Sequence, residues 1–590
     1  SSAQILAGFV TFSFSATLPS IALIEQDPLL FNLEPYVAPT RADERQAQLL
    51  AGNAAAGGNV PSGPGYLEWL VSKGFTSTAS AYPVIDIVDD GVDFGDPDNV
   101  AVADLHELGD PARPGRMRFA RNCTSDASAA NTSGHGTLNA GIAVGYALTS
   151  AGTDNAGYSF GLGIAPFARF GATKIIRNSG AADRAGCGGT DAAIVSGAQA
   201  LGAQITLNSW AAGSGGAYTA QSQAYDALTR DADPNIPGDQ PMLHVFAAGN
   251  TSSGLPSSVS APSTAKNVIA VGATENARDP AIVDGCNVSA GDSADDIASF
   301  SARGYTADGR AKPDLVAPGT HIQGPVAPGS GFTGAGVCGG RFNNGAPPAD
   351  DAYYPPGQSR YTWSSGTSHA APAIAGAAAL ISEHYSRTAR LGAWPSPAMA
   401  RAILINSTRY LTGVFANDDL PGAGQGWGAP NLSLALDDTR RVWVDQTRLF
   451  TASGQDQTMS GYVADPARPV RVTLAWTDAP GNPIGDAYVN DLDLEVTTGG
   501  QTYKGNFFAG GASATGGSAD AINSVESVFL PAGLSGPLTV RVVARNIVGD
   551  GVPSAPDSLD QDYALVVYNI DASYGVLAVS VRDSDAGAGI

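Results

Sequence analysis

From Tyr82 to about residue 435, short apolar runs alternate with longer stretches whose apolar residues recur at helical spacing. The runs are PVIDIV, FARFGATKI, QITLNSW, LHVFAAGN and NVIAVGAT. Near-continuous apolar runs of this length predict strands buried on both faces. Between and after them lie helical patterns: the stretch after His135, TDAAIVSGAQALG, the small-residue segment SHAAPAIAGAAALISEHYSR, and PAMARAILINST. Strands separated by helices predict an α/β fold with a mainly parallel sheet and helices on both faces. Past Leu432 the period changes to two, in TRRVWVDQTRLF, VRVTLAWTDA, DLDLEVTT, SVESVFL, LTVRVVARNI and YALVVYNI. Alternation between Gly/Pro/Asp turns predicts an all-β, antiparallel C-terminal sandwich. The front is different again: an apolar opening that reads as a strand docking on the main body, an Ala/Gly loop, then a short helix, YLEWLVSKG. The expected division is an N-terminal extension at 1–60, an α/β domain at 61–435 and a sandwich at 436–590.

Composition narrows this picture. With 73 Gly and 38 Pro in 590 residues, long helical bundles are excluded in favour of many turns. A net charge of -23 repels phosphate, so nucleic acid and anionic membrane are poor partners. Charged residues make up only 15%, which suits a secreted protein, and no basic leader opens the chain, as expected after its removal. No long unbroken apolar run predicts a membrane span. The cysteines are Cys123, Cys187, Cys286 and Cys338, with no CxxC pair for zinc. Two disulfides in any of three connectivities, or four thiols, remain open; closure of Cys286 with Cys338 is the favoured pairing.

Several turns carry reactive side chains. Asp89 ends an apolar strand before Asp90-Gly91, His135 lies in GHGT ahead of a helix, and Ser368 lies in SSGTSHAAP at the start of the buried helix. Turns at the carboxyl ends of parallel strands gather around one crevice. A hydroxyl nucleophile needs an imidazole to take its proton, and the imidazole needs a carboxylate to fix its tautomer. Asn250 ends another strand, where its amide and the Ser368 N–H could hold an oxyanion. Singly, each of these is equally an ordinary turn or cap residue.

Together they resemble the subtilisin-like serine peptidases, in which Asp, His and Ser occur in this order. IVDDGV carries Asp89, GHGT carries His135, AAGN carries Asn250 and SGTSHAAPAIAG carries Ser368. GIAP, NVIAVGAT, SFSARG and KPDLVAPG match as well, over about residues 80–435. The resemblance implies a serine endopeptidase acting through an acyl-enzyme, with polypeptides as partners and a monomeric state. It also implies substrate-binding roles for Ser209, Trp210 and Ala211, whose backbone would pair with the peptide. Ala247, Ala248 and Gly249 would line an open P1 pocket. Trp210 should widen an apolar wall, giving broad specificity with an apolar or aromatic preference. The aromatic-rich chain between Gly319 and Ser364 reads as a rim loop or as surface decoration.

Two departures stand out. Leu138 and Asn139 follow the His motif where another His and a small apolar residue are usual. His369 follows the nucleophile in place of the usual Met, which implies resistance to peroxide and a titratable group beside the site. The sandwich resembles that of the oxidatively stable alkaline members, through LAWTDAPG, NDLDLEV, NSVESVFL and DYALVVYN, and distantly the proprotein-convertase P domain, a jelly-roll. Structural calcium is implied by that likeness, with Asp478, Asp491 and Asp493 as candidate ligands; alternating Asp on a strand is equally a solvated or turn-capping feature. The rival expectation is an inactive binding protein gripping a partner through its sandwich. An intermediate one is latency imposed by residues 1–60.

Overall fold

The computed structural model describes residues 44–55, 60–147, 152–154, 156–213, 215–251, 257–278, 291–328, 332, 353, 358–389 and 392–572, together with the backbone of 2–6, 9–13 and 578–580. Residues 1–39 form a unit of their own. In it, Ser2–Leu6 and Phe9–Ser13 pair with each other as an antiparallel hairpin.

In the main unit, seven strands make one parallel sheet: β1 Val84–Asp89, β2 Met117–Asn122, β3 Phe170–Lys174, β4 Ala203–Asn208, β5 Leu243–Ala247, β6 Ile269–Thr274 and β7 Leu315–Pro318. Their spatial order is β2-β3-β1-β4-β5-β6-β7. β1 therefore has neighbours on both sides, and the chain direction across the sheet reverses beside it. That reversal opens a crevice at the carboxyl ends of β1 and β4.

Both faces of the sheet are covered, as the unbroken apolar runs require. Ile85 and Ile87 of β1, Leu207 of β4 and Val245 of β5 join one core cluster; Val84, Ala203 and Phe246 join another on the opposite face. The first face packs against helices α1 Glu44–Ala51, α2 Tyr66–Ser72, α3 His135–Val144 and α6 Thr367–Thr388. The second packs against α4 Asp191–Ala200 and α5 Ala220–Arg230. Helix α6 is buried all round over Ala370–Ile381, which is why its composition is Ala, Gly and Ile rather than an amphipathic stripe. A Cβ at Gly376 would sit 2.7 Å from the Ile164 Cβ and 2.8 Å from the Ala143 carbonyl, so only Gly lets α6 approach α3.

Helix α1 falls inside the front segment that reads as strand and loop. It is built into the α/β core instead: Ala47, Leu50 and Ala51 are buried there, and Gln46 donates to the Pro318 and His369 carbonyls at 2.8 and 3.0 Å. Its signal, ERQAQLLA, is short and lies between two unlike segments, which hid it.

Helix α7 Pro397–Asn406 carries the core onward to the C-terminal region. There, ten strands and the backbone segment Ala578–Ser580 form two antiparallel sheets, of four and seven strands. Leu492, Leu494 and Val496 from the larger sheet meet Val472, Leu474 and Val528 from the smaller, so the two share one core. The region is fixed to the α/β part by buried polar groups. The Lys266 ammonium donates to Asp478 Oδ2 at 2.7 Å and to the Ala487 carbonyl at 2.7 Å, and Arg230 bonds both oxygens of Asp562.

Cys123 and Cys187 form a disulfide that closes a separation of 64 residues. Cys286 and Cys338, and with them the favoured pairing, lie outside the described residues. So does most of the segment between Gly319 and Ser364; its described ends, Ile322–Pro325 and Tyr361–Ser364, pair antiparallel. Among the described residues, no helix is long and apolar enough to cross a membrane.

Candidate active site

Asp89 is the last residue of β1, and its carboxylate is buried at the edge of the crevice. His135 is the first residue of α3, partly exposed, and its Nδ1–H donates to Asp89 Oδ1 at 2.8 Å. That bond fixes the imidazole tautomer and leaves Nε2 as an acceptor. The other Asp89 oxygen accepts from Asn139 Nδ2 at 3.0 Å. Asp90, the next carboxylate, accepts from Asn131 Nδ2 at 2.6 Å, from the Gly136 N–H at 2.7 Å and from the Ser133 hydroxyl. It thereby pins the turn that presents His135.

Electrostatics follow from this packing. Burial works against the His135 imidazolium, but the Asp89 carboxylate, by charge and by hydrogen bond, outweighs it with help from Asp90 and raises the imidazole to about 9. Asp90 is itself pushed up to about 6, first by burial and then by Asp89. His369 lies with its ring centroid 5.4 Å from that of His135. Burial, and then the charge of His135, hold His369 well below the usual histidine range, so it is neutral.

Ser368 lies in the first turn of α6. Its hydroxyl donates to the Ser209 carbonyl at 3.1 Å, while the Ser209 hydroxyl donates to the Ser368 carbonyl at 2.8 Å. This reciprocal pair ties the Ser368 turn to the end of β4. Asn250 follows β5, and its Oδ1 accepts from the Thr367 N–H at 2.8 Å and the Thr367 hydroxyl at 2.9 Å. With its oxygen held, the Asn250 NH₂ is free to donate beside the N-terminus of α6, where the helix dipole also favours negative charge.

The expected substrate-binding segments divide. Ala211 is exposed, and its N–H and C=O have no partner among the described residues, so they can pair with an extended peptide. Ala247, Ala248 and Gly249 are buried and small, with Gly249 at φ 114 and no room for a Cβ against the Ser260 hydroxyl 2.6 Å away. Trp210 is half-buried. Its indole packs edge-on to Phe246 with centroids 5.4 Å apart and near Tyr225, with the Arg184 guanidinium 5.1 Å from the ring. Part of its bulk is spent on packing. From sequence, direction of the side chain at a strand end was not fixed.

The expected metal residues are also revised. Asp478 has no oxygen to spare: Oδ2 accepts from Lys266 and the Val489 N–H, and Oδ1 from the Asn490 N–H. Its role is to anchor the sandwich. Asp493 is bonded through one oxygen by Arg545, while Asp491 and Asp493 each keep one buried oxygen without a partner among the described residues. Burial and the neighbouring Asp493 raise Asp491 to about 7. A better-gathered set is Glu275, Asp292 and Asp296, whose carboxylate oxygens lie within 4.8 Å of one another. Among the described residues the buried Glu275 Oε2 has no partner, and burial, with the nearby acids, raises this carboxyl to about 8. Asp89, Asp90 and His135 are equally close, but their facing atoms are engaged in hydrogen bonds.

Sequence reasoning passed over Thr367, which locks Asn250, and Asp90, which pins the His135 turn. The Asp doublet and the Gly-Thr-Ser turn were visible, but their partners lie 46 and 117 residues away along the chain.

Known proteins can now be set beside this geometry. Two serine protease/ABC transporter B family proteins of Dictyostelium discoideum are similar to it. tagD is 26% identical over 322 residues, covering 44% of this chain and 16% of the relative. tagA is 26% identical over 289 residues, covering 45% of this chain and 15% of the relative. This chain thus spans a small fraction of the length of the curated relatives it matches. The Subtilase family, peptidase S8, matches residues 81–428, a stretch that contains β1 to β7 and every residue of the crevice. The chain belongs to the subtilase family.

Proposed function

We propose that the protein is a secreted serine endopeptidase that cleaves peptide bonds through an acyl-enzyme. The observation that carries this reading is the Asp89–His135 hydrogen bond at the mouth of a crevice that also receives Ser368 and an Asn250 amide locked for donation. In the reaction, the Ser368 hydroxyl leaves the Ser209 carbonyl, turns about its Cα–Cβ bond toward His135 Nε2, and attacks the substrate carbonyl carbon. His135 takes the proton and returns it to the leaving amine; Asp89 holds the ring and stabilises the imidazolium. The developing oxyanion receives the Asn250 NH₂ and the Ser368 N–H. Water then repeats the sequence to release the acyl group.

The substrate enters as an extended strand on the free backbone of Ala211, an edge that reads main chain rather than side chains. The small Ala247-Ala248-Gly249 wall favours broad specificity with apolar or aromatic P1 residues. The Cys123–Cys187 disulfide supports an oxidising, extracellular setting. Structural calcium belongs to the same proposal, with Glu275, Asp292 and Asp296 as its holders; there it would supply positive charge that relieves three crowded carboxylates. Labelling with phenylmethylsulfonyl fluoride, with Ser368→Ala as control, tests the whole: hydrolysis and labelling that both vanish in the variant are expected. Full activity of Ser368→Ala, or an unlabelled wild-type protein, refutes it.

A further inference from the structure

The two departures from the subtilase pattern meet in space. Asn139 lies one turn after His135 on α3, so the i and i+4 positions share a face. His369 sits in the first turn of α6, 230 residues further on, and its Nδ1 is 2.8 Å from Asn139 Oδ1. Asn139 is fully buried and His369 is 2% exposed, so water is not available to satisfy either side chain. The amide has one orientation that serves both neighbours. Its NH₂ donates to Asp89 Oδ2 at 3.0 Å, and its oxygen accepts the Nδ1–H of a neutral His369. Reversed, the amide would set its oxygen against the Asp89 carboxylate and its NH₂ against an N–H.

We propose that Asn139 and His369 are positioning residues that extend the Asp89–His135 pair into a single array, His369–Asn139–Asp89–His135, with His369 fixing the amide and the amide fixing the outer oxygen of Asp89. The inference rests on the peptidase reading above. Asp89 Oδ1 then accepts from His135 and from the Asp90 N–H at 2.8 Å, while Asn139 is the donor on Oδ2, so the carboxylate plane is set and the imidazole is aimed at Ser368. His369 touches no substrate in this scheme; it acts through Asn139, and its ring lies 5.4 Å, centroid to centroid, from that of His135. A Met at 369 fills similar volume but offers Asn139 no donor.

Steady-state kinetics on a peptide substrate, with thermal unfolding and serine-directed labelling of each protein, test the array. Asn139→Ala should lower kcat about tenfold with KM little changed, because the lost donor served a charged group. His369→Met should show a smaller loss of the same kind, and His369→Gln, whose amide can donate to Asn139, should recover it. The double variant Asn139→Ala/His369→Met should be no slower than Asn139→Ala alone, since the two act in series. The acid limb of the Asn139→Ala profile should move to higher pH, because the unshared Asp89 charge bears more fully on His135. If Asn139→Ala does not fold, the contrast between His369→Met and His369→Gln decides the matter. Folded variants with unchanged kcat and pH profile, or effects that multiply in the double variant, overturn the array while leaving an active, labelled wild type. A wild type that neither labels nor hydrolyses overturns the peptidase reading and the array with it.

Discussion

The raised pKa of His135 makes a quantitative prediction about pH. A general base must be neutral to accept the Ser368 proton, and here the imidazole titrates at about 9. Three groups face it: Asp89 and Asp90, which favour the charged form, and His369, which is neutral and adds no charge. With that midpoint only about 1% of His135 is neutral at pH 7 and about half at pH 9, so kcat/KM should rise roughly a hundredfold from neutrality to its alkaline plateau. The sign for stability is the reverse. Because the folded value lies above that of a free histidine, the charged pair stabilises fully below about 6.5, and this contribution is lost as pH rises through about 9. Activity therefore grows over the range in which the Asp89–His135⁺ pair is given up. Asp90→Asn keeps the acceptor for the Gly136 N–H but removes one of the charges that raise His135, so its acid limb should move to lower pH. The assay is kcat/KM on a neutral chromogenic peptide from pH 5.5 to about 10.5, range chosen to bracket the midpoint. A profile flat above pH 7, or one unmoved by Asp90→Asn, refutes the electrostatic reasoning.

Asn250→Ala should reduce kcat by about 10²–10³ with little change in KM, the loss expected of one oxyanion donor, measured by initial rates beside a folded-state check. Replacing Cys123 and Cys187 together by Ala opens a link across 64 residues and should cost about 4 kcal/mol at most, read as a lowered denaturation midpoint. Peroxide treatment should leave activity largely intact, since His369 rather than an oxidisable Met follows Ser368; a rapid loss of hydrolysis under peroxide would contradict this.

Much of the architecture was legible in the chain because it depends on local rules. Apolar runs ending in Asp89 and Asn208 gave strands, helical patterns between them gave crossovers, and alternation after Leu432 gave antiparallel sheets. The turns that hold Asp89, His135, Asn250 and Ser368 were legible as well, since glycines mark them. What failed were judgements on where a side chain points. Trp210 packs on Phe246, Asp478 is claimed by Lys266 from 212 residues away, and ERQAQLLA, within the segment 1–60 expected as an extension, is a buried helix.

By itself, then, the sequence determined the strand and helix inventory, the texture change near residue 435 and the turns that carry the residues proposed for acyl transfer. Backbone hydrogen bonding and the periods of burial act between near neighbours, so pattern suffices for them. Only the tertiary structure decided which polar groups answer one another: Thr367 with Asn250, Lys266 with Asp478, and Asn139 between Asp89 and His369. These pairings follow from buried donors and acceptors having to find partners once water is excluded, and that demand is set by where the fold brings the chain together, not by spacing along it.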